Sequence, residues 1–219
     1  MSAVIFDLDG TLVDSVGVIC GAANATLSRL NLPLLSVEEA RQYVGNGAEV
    51  FLTRTLTARN AFDPQAFPGA LEQFLRDYSA APGADNHPYP GVEEVLQELV
   101  GDGLAIGLCT NKPMAPTLSV LEAQNWKELF GVVIAGDTLA EKKPHPAPLL
   151  AAAKALGRTQ TVFVGDSEVD AATAQAADLP FVLYTEGYRK TPIESLPHRS
   201  TFSDYADLVG CLREIVSQP

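Results

Sequence analysis

Basic side chains are scarce in this sequence. Fifteen lysines and arginines stand against twenty-seven aspartates and glutamates in 219 residues, a formal net charge of −12. Such a surface repels nucleic-acid backbones and anionic membranes, so neither is expected as a partner. An anionic small molecule would need a local cation to hold it. Cysteine is scarcer still: Cys20, Cys109 and Cys211 are odd in number, widely spaced and set in apolar runs. They read as small buried hydrophobes in a reducing cytosol, not as disulfide partners or metal ligands. No apolar run reaches membrane-spanning length, and no basic-plus-apolar leader precedes the first apolar segment. A cytoplasmic protein is expected. Internal repeats and low-complexity tracts are also missing.

What is present, 47% hydrophobic and 19% charged residues, has the balance of a globular chain with room for a core domain and a smaller insert. From Gly91 onward, buried-strand runs alternate with helical stretches. Val92, Val95, Leu96, Leu99 and Val100 recur at helical spacing, and Gly101 and Gly103 end that helix. Strands are expected at Leu104–Cys109, Val132–Ala135, Thr161–Val164 and Phe181–Tyr184. Helices are expected near 114–126, 146–157, 168–178 and 204–217, the last with Leu208, Leu212, Ile215 and Val216 on its apolar face. This alternation implies βαβ units: an α/β, Rossmann-like parallel sheet with right-handed crossovers.

Residues 15–80 lack strand runs and carry helical periodicity instead: Val16, Ile19, Cys20, Ala23, Leu27 and Leu30, then Phe67, Ala70, Leu71, Phe74, Leu75 and Tyr78. Residues 79–91, rich in Pro, Gly, Ala and Asp, read as the return to the sheet. The expected organisation is an α/β core of residues 1–14 and 85–219 with an α-helical insert over 15–84.

The apolar run Val4-Ile5-Phe6 stops abruptly at Asp7-Leu8-Asp9-Gly10-Thr11. If the strand continues through Leu8, Asp7 and Asp9 point to the same side. Two like charges at the end of a buried strand require a cation. In an open parallel sheet, ligands bind beyond the carboxyl ends of the strands. Two further strands there end in suitable residues, Thr110-Asn111 and Gly165-Asp166-Ser167 followed by Asp170, and Lys142-Lys143-Pro144-His145 precedes a predicted helix. Taken singly, each has a structural alternative. Thr110-Asn111 fits a helix cap, Ser167-x-x-Asp170 a capping box, and Lys143 a solvated loop lysine. Half a calcium loop at Asp7 is excluded by its missing ligands. The conjunction at one sheet edge favours a shared site. His87, His145 and His198 lie on Pro-flanked loops where exposure is the default, and Trp126 ends a predicted helix as a packing residue.

These four motifs together resemble the haloacid dehalogenase superfamily of aspartate-nucleophile phosphatases, over essentially the whole chain. The resemblance implies Asp7 as nucleophile and Asp9 as proton shuttle. It implies Thr110, Asn111 and Lys143 as phosphate-binding residues, with Lys143 also catalytic. It further implies Mg²⁺ held by Asp7, Asp9 (through its carbonyl) and Asp166, with Asp170 in support. The helical insert resembles that family's small cap, and its Gly45-Asn46-Gly47 turn is expected to face the site and influence specificity. Val44-Gly45-Asn46-Gly47-Ala48, Pro88–Val92 and Thr110–Pro113 look like the bacterial phosphoglycolate phosphatases within the superfamily. Related sugar-phosphate and nucleotide phosphatases are the alternatives. A β-phosphoglucomutase-like enzyme and a silent binding protein fit less well. The implied partner is a small phosphorylated metabolite bound by a monomer or homodimer.

Overall fold

The computed structural model of the chain describes residues 2–217. It opens on β1 (Ser2–Phe6), in which Ala3 to Phe6 are all buried, as a central strand covered on both faces requires. β1 ends before Asp7, so the condition that the strand continues through Leu8 is not met. The Leu8 carbonyl instead accepts from the N–H groups of Leu12 (2.9 Å) and Val13 (3.1 Å), closing a tight turn. Asp7 and Asp9 are therefore not related by strand alternation, and they turn to different partners.

After β2 (Val13–Asp14) come four helices, α1 (Val16–Arg29), α2 (Val37–Tyr43), α3 (Ala48–Thr57) and α4 (Phe67–Ala80). The chain then returns through β3 (His87–Pro88), which pairs antiparallel with β2: Val13 faces Pro88 and Asp14 faces His87. The helical segment thus leaves and re-enters the sheet region through one two-residue ladder. Its helices bury an apolar cluster of their own, including Ile19, Ala23, Leu27, Leu52 and Phe74, with Phe51 and Phe74 stacked at 5.7 Å. Leu30, placed by periodicity on the buried stripe of α1, is instead exposed. The helix has already ended there, and Asn31 follows with a left-handed φ of 52°.

The remaining chain alternates through α5 (Val92–Gly101), β4 (Ala105–Cys109), α6 (Met114–Ala123), β5 (Phe130–Ile134), α7 (Ala147–Leu156), β6 (Gln160–Gly165), α8 (Glu168–Ala176), β7 (Phe181–Tyr184), β8 (Ser200–Phe202) and α9 (Leu208–Ser217). The six long-range strands form one parallel sheet in the order β5-β4-β1-β6-β7-β8. The α/β Rossmann-like core is therefore present as expected. β8 was not anticipated, because a three-residue edge strand opening on Ser200-Thr201 carries no apolar run. The final helix starts at Leu208 after a 3₁₀ turn over Tyr205–Asp207, with Leu208 and Leu212 buried, while the side chain of Val216 lies outside the described ones. Trp126 is fully buried in the larger core cluster, where its indole N–H donates to the Glu93 carboxylate. Cys20 and Cys109 are buried, Cys211 is partly buried, and none is in a disulfide.

Register positions the site. Phe6, the last residue of β1, stands level with Leu108 of β4 and Val164 of β6. The three strands therefore end side by side, and Asp7, Thr110 and Asp166 project from adjacent ends of one sheet.

Candidate active site

Asp7 is fixed from its own main chain, whose N–H donates to the Val164 carbonyl at 2.9 Å. Lys143 Nζ lies 2.8 Å from Asp7 Oδ1 and 2.6 Å from Asp170 Oδ1, in a pocket that leaves the lysine almost wholly buried. A lysine in a Pro-flanked loop reaches this position because Asn111 grips its backbone. Asn111 Oδ1 accepts from the Lys143 N–H (3.0 Å) and Nδ2 donates to the Lys143 carbonyl (2.9 Å). The Asn111 carboxamide is thereby spent on the loop, so only its main chain is placed to serve an anion. Asp170 is spent as well: its Oδ2 accepts from the Ser167 hydroxyl at 2.6 Å and the Ser167 N–H at 3.1 Å. The Ser167–Asp170 capping box is real, and the same aspartate also holds Lys143.

Asp166 completes the group. Its Oδ1 accepts from the Thr11 hydroxyl at 2.8 Å and its Oδ2 from the Tyr188 N–H at 2.5 Å. Gly10 makes room for it: at φ +88°, a Cβ there would stand 2.6 Å from Asp166 Oδ2. Carboxylate oxygens of Asp7, Asp166 and Asp170 all lie within 4.8 Å of one another, and all three residues are buried. One ammonium among three buried carboxylates leaves the cluster short of positive charge. The titration behaviour follows. Burial pushes the Asp7 carboxyl up to about 7, against the pull of Lys143 and with a further push from Asp170. Burial, then Asp170 and Asp7, hold Asp166 well above the usual carboxylate range. Burial would lower the Lys143 ammonium, but Asp170 and Asp7 outweigh it and keep it protonated. Lys143 alone does not keep Asp7 fully ionised at neutral pH. A hard divalent cation fits this oxygen-only cluster and would supply the missing charge.

A pH signature follows. The carboxyls of Asp7 and Asp166 have folded-state values above the 3.8 of an unperturbed aspartate. The folded chain therefore binds more protons than the unfolded one, and these groups' contribution to stability is lost as pH rises through about 7. Mg²⁺ should reverse that loss. The Mg²⁺-induced rise in Tm, measured against EDTA, should be larger at about pH 8 than at about pH 5.5. Equal shifts at the two values would count against a cation at this cluster.

Asp9 is not among the clustered carboxylates. Its Oδ1 pairs at 2.8 Å with Lys112 Nζ, so any contact with a metal would have to come through its carbonyl. Lys112 is the residue that sequence reasoning missed. Its side chain is 0% exposed, and its ammonium also donates to the Tyr78 hydroxyl of α4 at 2.6 Å and lies 3.5 Å from Asn86 Oδ1. The available signal was its place directly after Thr110-Asn111 at a strand end, where a solvated lysine is the ordinary expectation.

Thr110 donates its N–H to the Ile134 carbonyl at 2.9 Å, and its hydroxyl oxygen accepts from the Lys112 N–H at 3.2 Å. Neither Thr110 nor Asn111 caps α6, so the structural alternative weighed for them singly does not hold. That helix begins at Met114, whose N–H donates to Asp137 Oδ1 at 2.8 Å. Gly45-Asn46-Gly47 forms the turn between α2 and α3 and meets this loop: Asn111 Nδ2 donates to the Gly45 carbonyl at 3.2 Å. Between the turn, the sheet edge and the helices lies a cavity of about 40 Å³. Asp7, Asp9, Gly45, Gly47, Thr110, Asn111 and Lys112 line it together with Ile19, Phe51, Phe74 and Tyr78. His87, His145 and His198 are exposed, and His145 Nδ1 accepts from the Ala147 N–H at the start of α7, away from the cluster.

The chain resembles known proteins over most of its length. A family model described as haloacid dehalogenase-like hydrolase matches residues 4–184. A phosphoglycolate phosphatase of Cereibacter sphaeroides is 43% identical over 218 residues, covering 99% of this chain and 100% of that protein. One of Xanthomonas campestris pv. campestris is 41% identical over 85% of this chain and 84% of its own length. Among solved structures, a protein described as a predicted phosphoglycolate phosphatase from Haemophilus somnus superposes with a TM-score of 0.88 at 31% identity, covering 96% of this chain and 97% of that one.

Proposed function

Because the chain belongs to the haloacid dehalogenase-like hydrolase family, we propose that it is a Mg²⁺-dependent phosphomonoesterase that hydrolyses 2-phosphoglycolate to glycolate and phosphate through an aspartyl-phosphate. The observation that carries this reading is the division of labour at the end of β1. Asp7 lies against Lys143 in the buried carboxylate cluster, while Asp9 is held apart on Lys112. Asp7 attacks phosphorus and the ester P–O bond breaks, with Asp9 giving its proton to the leaving oxygen. Asp9 then takes a proton from a water that attacks the aspartyl-phosphate, which frees Asp7 and releases phosphate. Lys143, the Thr110 hydroxyl and the Asn111 main chain balance charge on the phosphoryl oxygens. Asp7 and Asp166 would hold Mg²⁺ with the Asp9 carbonyl, and the ion would offset the negative charge of nucleophile and phosphate. Asp170 supports the site by holding Lys143.

Residues 1–14 and 85–219 supply this chemistry in our reading, and residues 15–84 act as the cap that closes over it and excludes water. The cavity beneath the Gly45–Gly47 turn, which Asp9 and Lys112 line, is small and suits a short leaving group on that side. The companion name among the relatives, phosphoglycolate phosphatase, agrees with that size. A cytoplasmic metabolic enzyme is the setting this implies.

Phosphate release with Mg²⁺ should be measured on 2-phosphoglycolate, a hexose phosphate and a nucleoside monophosphate. The highest kcat/KM is expected for 2-phosphoglycolate. A panel led by either of the others would rule out the glycolate leaving group. Binding of phosphoglycolate without phosphate release would make the chain a binding protein.

A further inference from the structure

Among the residues lining the cavity beneath the Gly45–Gly47 turn, Lys112 is the one cation. Resting on the phosphatase reading, we infer that Lys112 Nζ and the Tyr78 hydroxyl together form the seat for a carboxylate carried by the substrate's leaving group.

Donor arithmetic supports the assignment. An ammonium has three N–H bonds. One points to Asp9 Oδ1 at 2.8 Å and one to Tyr78 Oη at 2.6 Å. The third has its nearest acceptor, Asn86 Oδ1, at 3.5 Å, the outer limit of a hydrogen bond. Tyr78 Oη accepts from Lys112, and its own proton has no acceptor among the described residues. Burial, with Asp9 nearby, raises this phenol well above 10, so it keeps that proton as a donor. One under-used N–H and one unclaimed O–H therefore converge on the same cavity, and both suit a carboxylate.

Reach agrees as well. A leaving oxygen hydrogen-bonded to the Asp9 oxygen that Lys112 holds lies at most two hydrogen-bond lengths, about 5.6 Å, from Lys112 Nζ, and one on the other Asp9 oxygen about 2 Å further. A carboxylate on the adjacent carbon closes that gap. Two other cations, Arg54 and Lys190, line a neighbouring opening that shares Asp7, Asp9, Val44 and Gly45 with this cavity and also takes in Asp166 and Glu168. Arg54 donates there to the Tyr43 carbonyl at 3.1 Å and Lys190 to the Val44 carbonyl at 2.8 Å, while it is Lys112 that pairs with Asp9. The seat is also split between cap and core, since Tyr78 comes from α4 and Lys112 from the loop after β4. It exists only while the helical segment is closed against the sheet, so the carboxylate would itself favour closure.

The test is the ratio of kcat/KM for 2-phosphoglycolate to that for ethyl phosphate, which has the same length without the carboxylate. Lys112→Met should lower this ratio about 100-fold, the scale of losing one buried charge-assisted partner. Tyr78→Phe should lower it about tenfold, and it keeps the ring packing if the lysine variant fails to fold. A ratio unchanged in Tyr78→Phe and in a folded Lys112→Met would overturn the seat. So would a ratio unchanged because turnover of both esters fell in parallel. The substrate reading fails differently, in the unmutated protein: there the ratio would already be near one.

Discussion

Asp7→Asn is expected to lower kcat by about four orders of magnitude or more while leaving a folded, slightly stabilised protein. The carboxamide has the shape of the carboxylate but lacks the charge that makes it a nucleophile. Stability should move the other way, because the Asp7 carboxylate is held at a cost. Burial already pushes its pKa to about 7, and Asp166 and Asp170 crowd it. A neutral side chain removes one of three clustered charges, so Tm in EDTA should rise. Phosphate release and thermal unfolding on the same preparation check both halves. Turnover above about one per cent of the parent would remove Asp7 from the nucleophile's role.

Lys143→Met should damage both properties. It takes the only ammonium from a cluster in which Asp7 and Asp170 each lie within 2.8 Å of it. Removing one partner of a buried ion pair commonly costs about 3–5 kcal/mol, because the remaining charge stays in the low-dielectric site. The carboxyls can respond only by taking up protons. The destabilisation should therefore be larger at about pH 8 than at about pH 5.5 in urea unfolding without metal. Mg²⁺ should restore much of the stability at the higher pH but little of the rate, since the phosphoryl contact is lost with the lysine. Loss of rate with no loss of stability in EDTA would mean that Lys143 serves only bound substrate.

The sheet was legible because its strands are dense apolar runs separated by helical spacing. Every strand with a run of four or more apolar residues was anticipated, and the ones missed, β2, β3 and β8, are two or three residues long. The buried acidic cluster was legible for a different reason: carboxylates rarely sit at the end of an apolar strand unless something cationic meets them. Lys143 gained its meaning only in company with Asp7 and Asp170. Lys112 could be placed at a strand end but not read as buried. Its burial depends on Tyr78, thirty-four residues earlier and on a helix of the inserted segment, and no local pattern records that contact. Local rules alone also allow a cap at Thr110-Asn111, whereas the first N–H of α6 goes to Asp137, beyond the end of the neighbouring strand β5.

β1 lies in the interior of the sheet, yet it precedes the sheet's other five strands in the sequence. Its neighbours are Ala105–Cys109 on one side and Gln160–Gly165 on the other. During synthesis the strand must wait for about 160 residues of chain before both its edges are paired, with an apolar run exposed meanwhile. Asp166 and Asp170 arrive just behind β6, in the same stretch that completes this pairing. A nascent chain therefore cannot carry the assembled acidic cluster before its central strand is sealed, and the cluster and the sheet around β1 are completed within a few residues of each other.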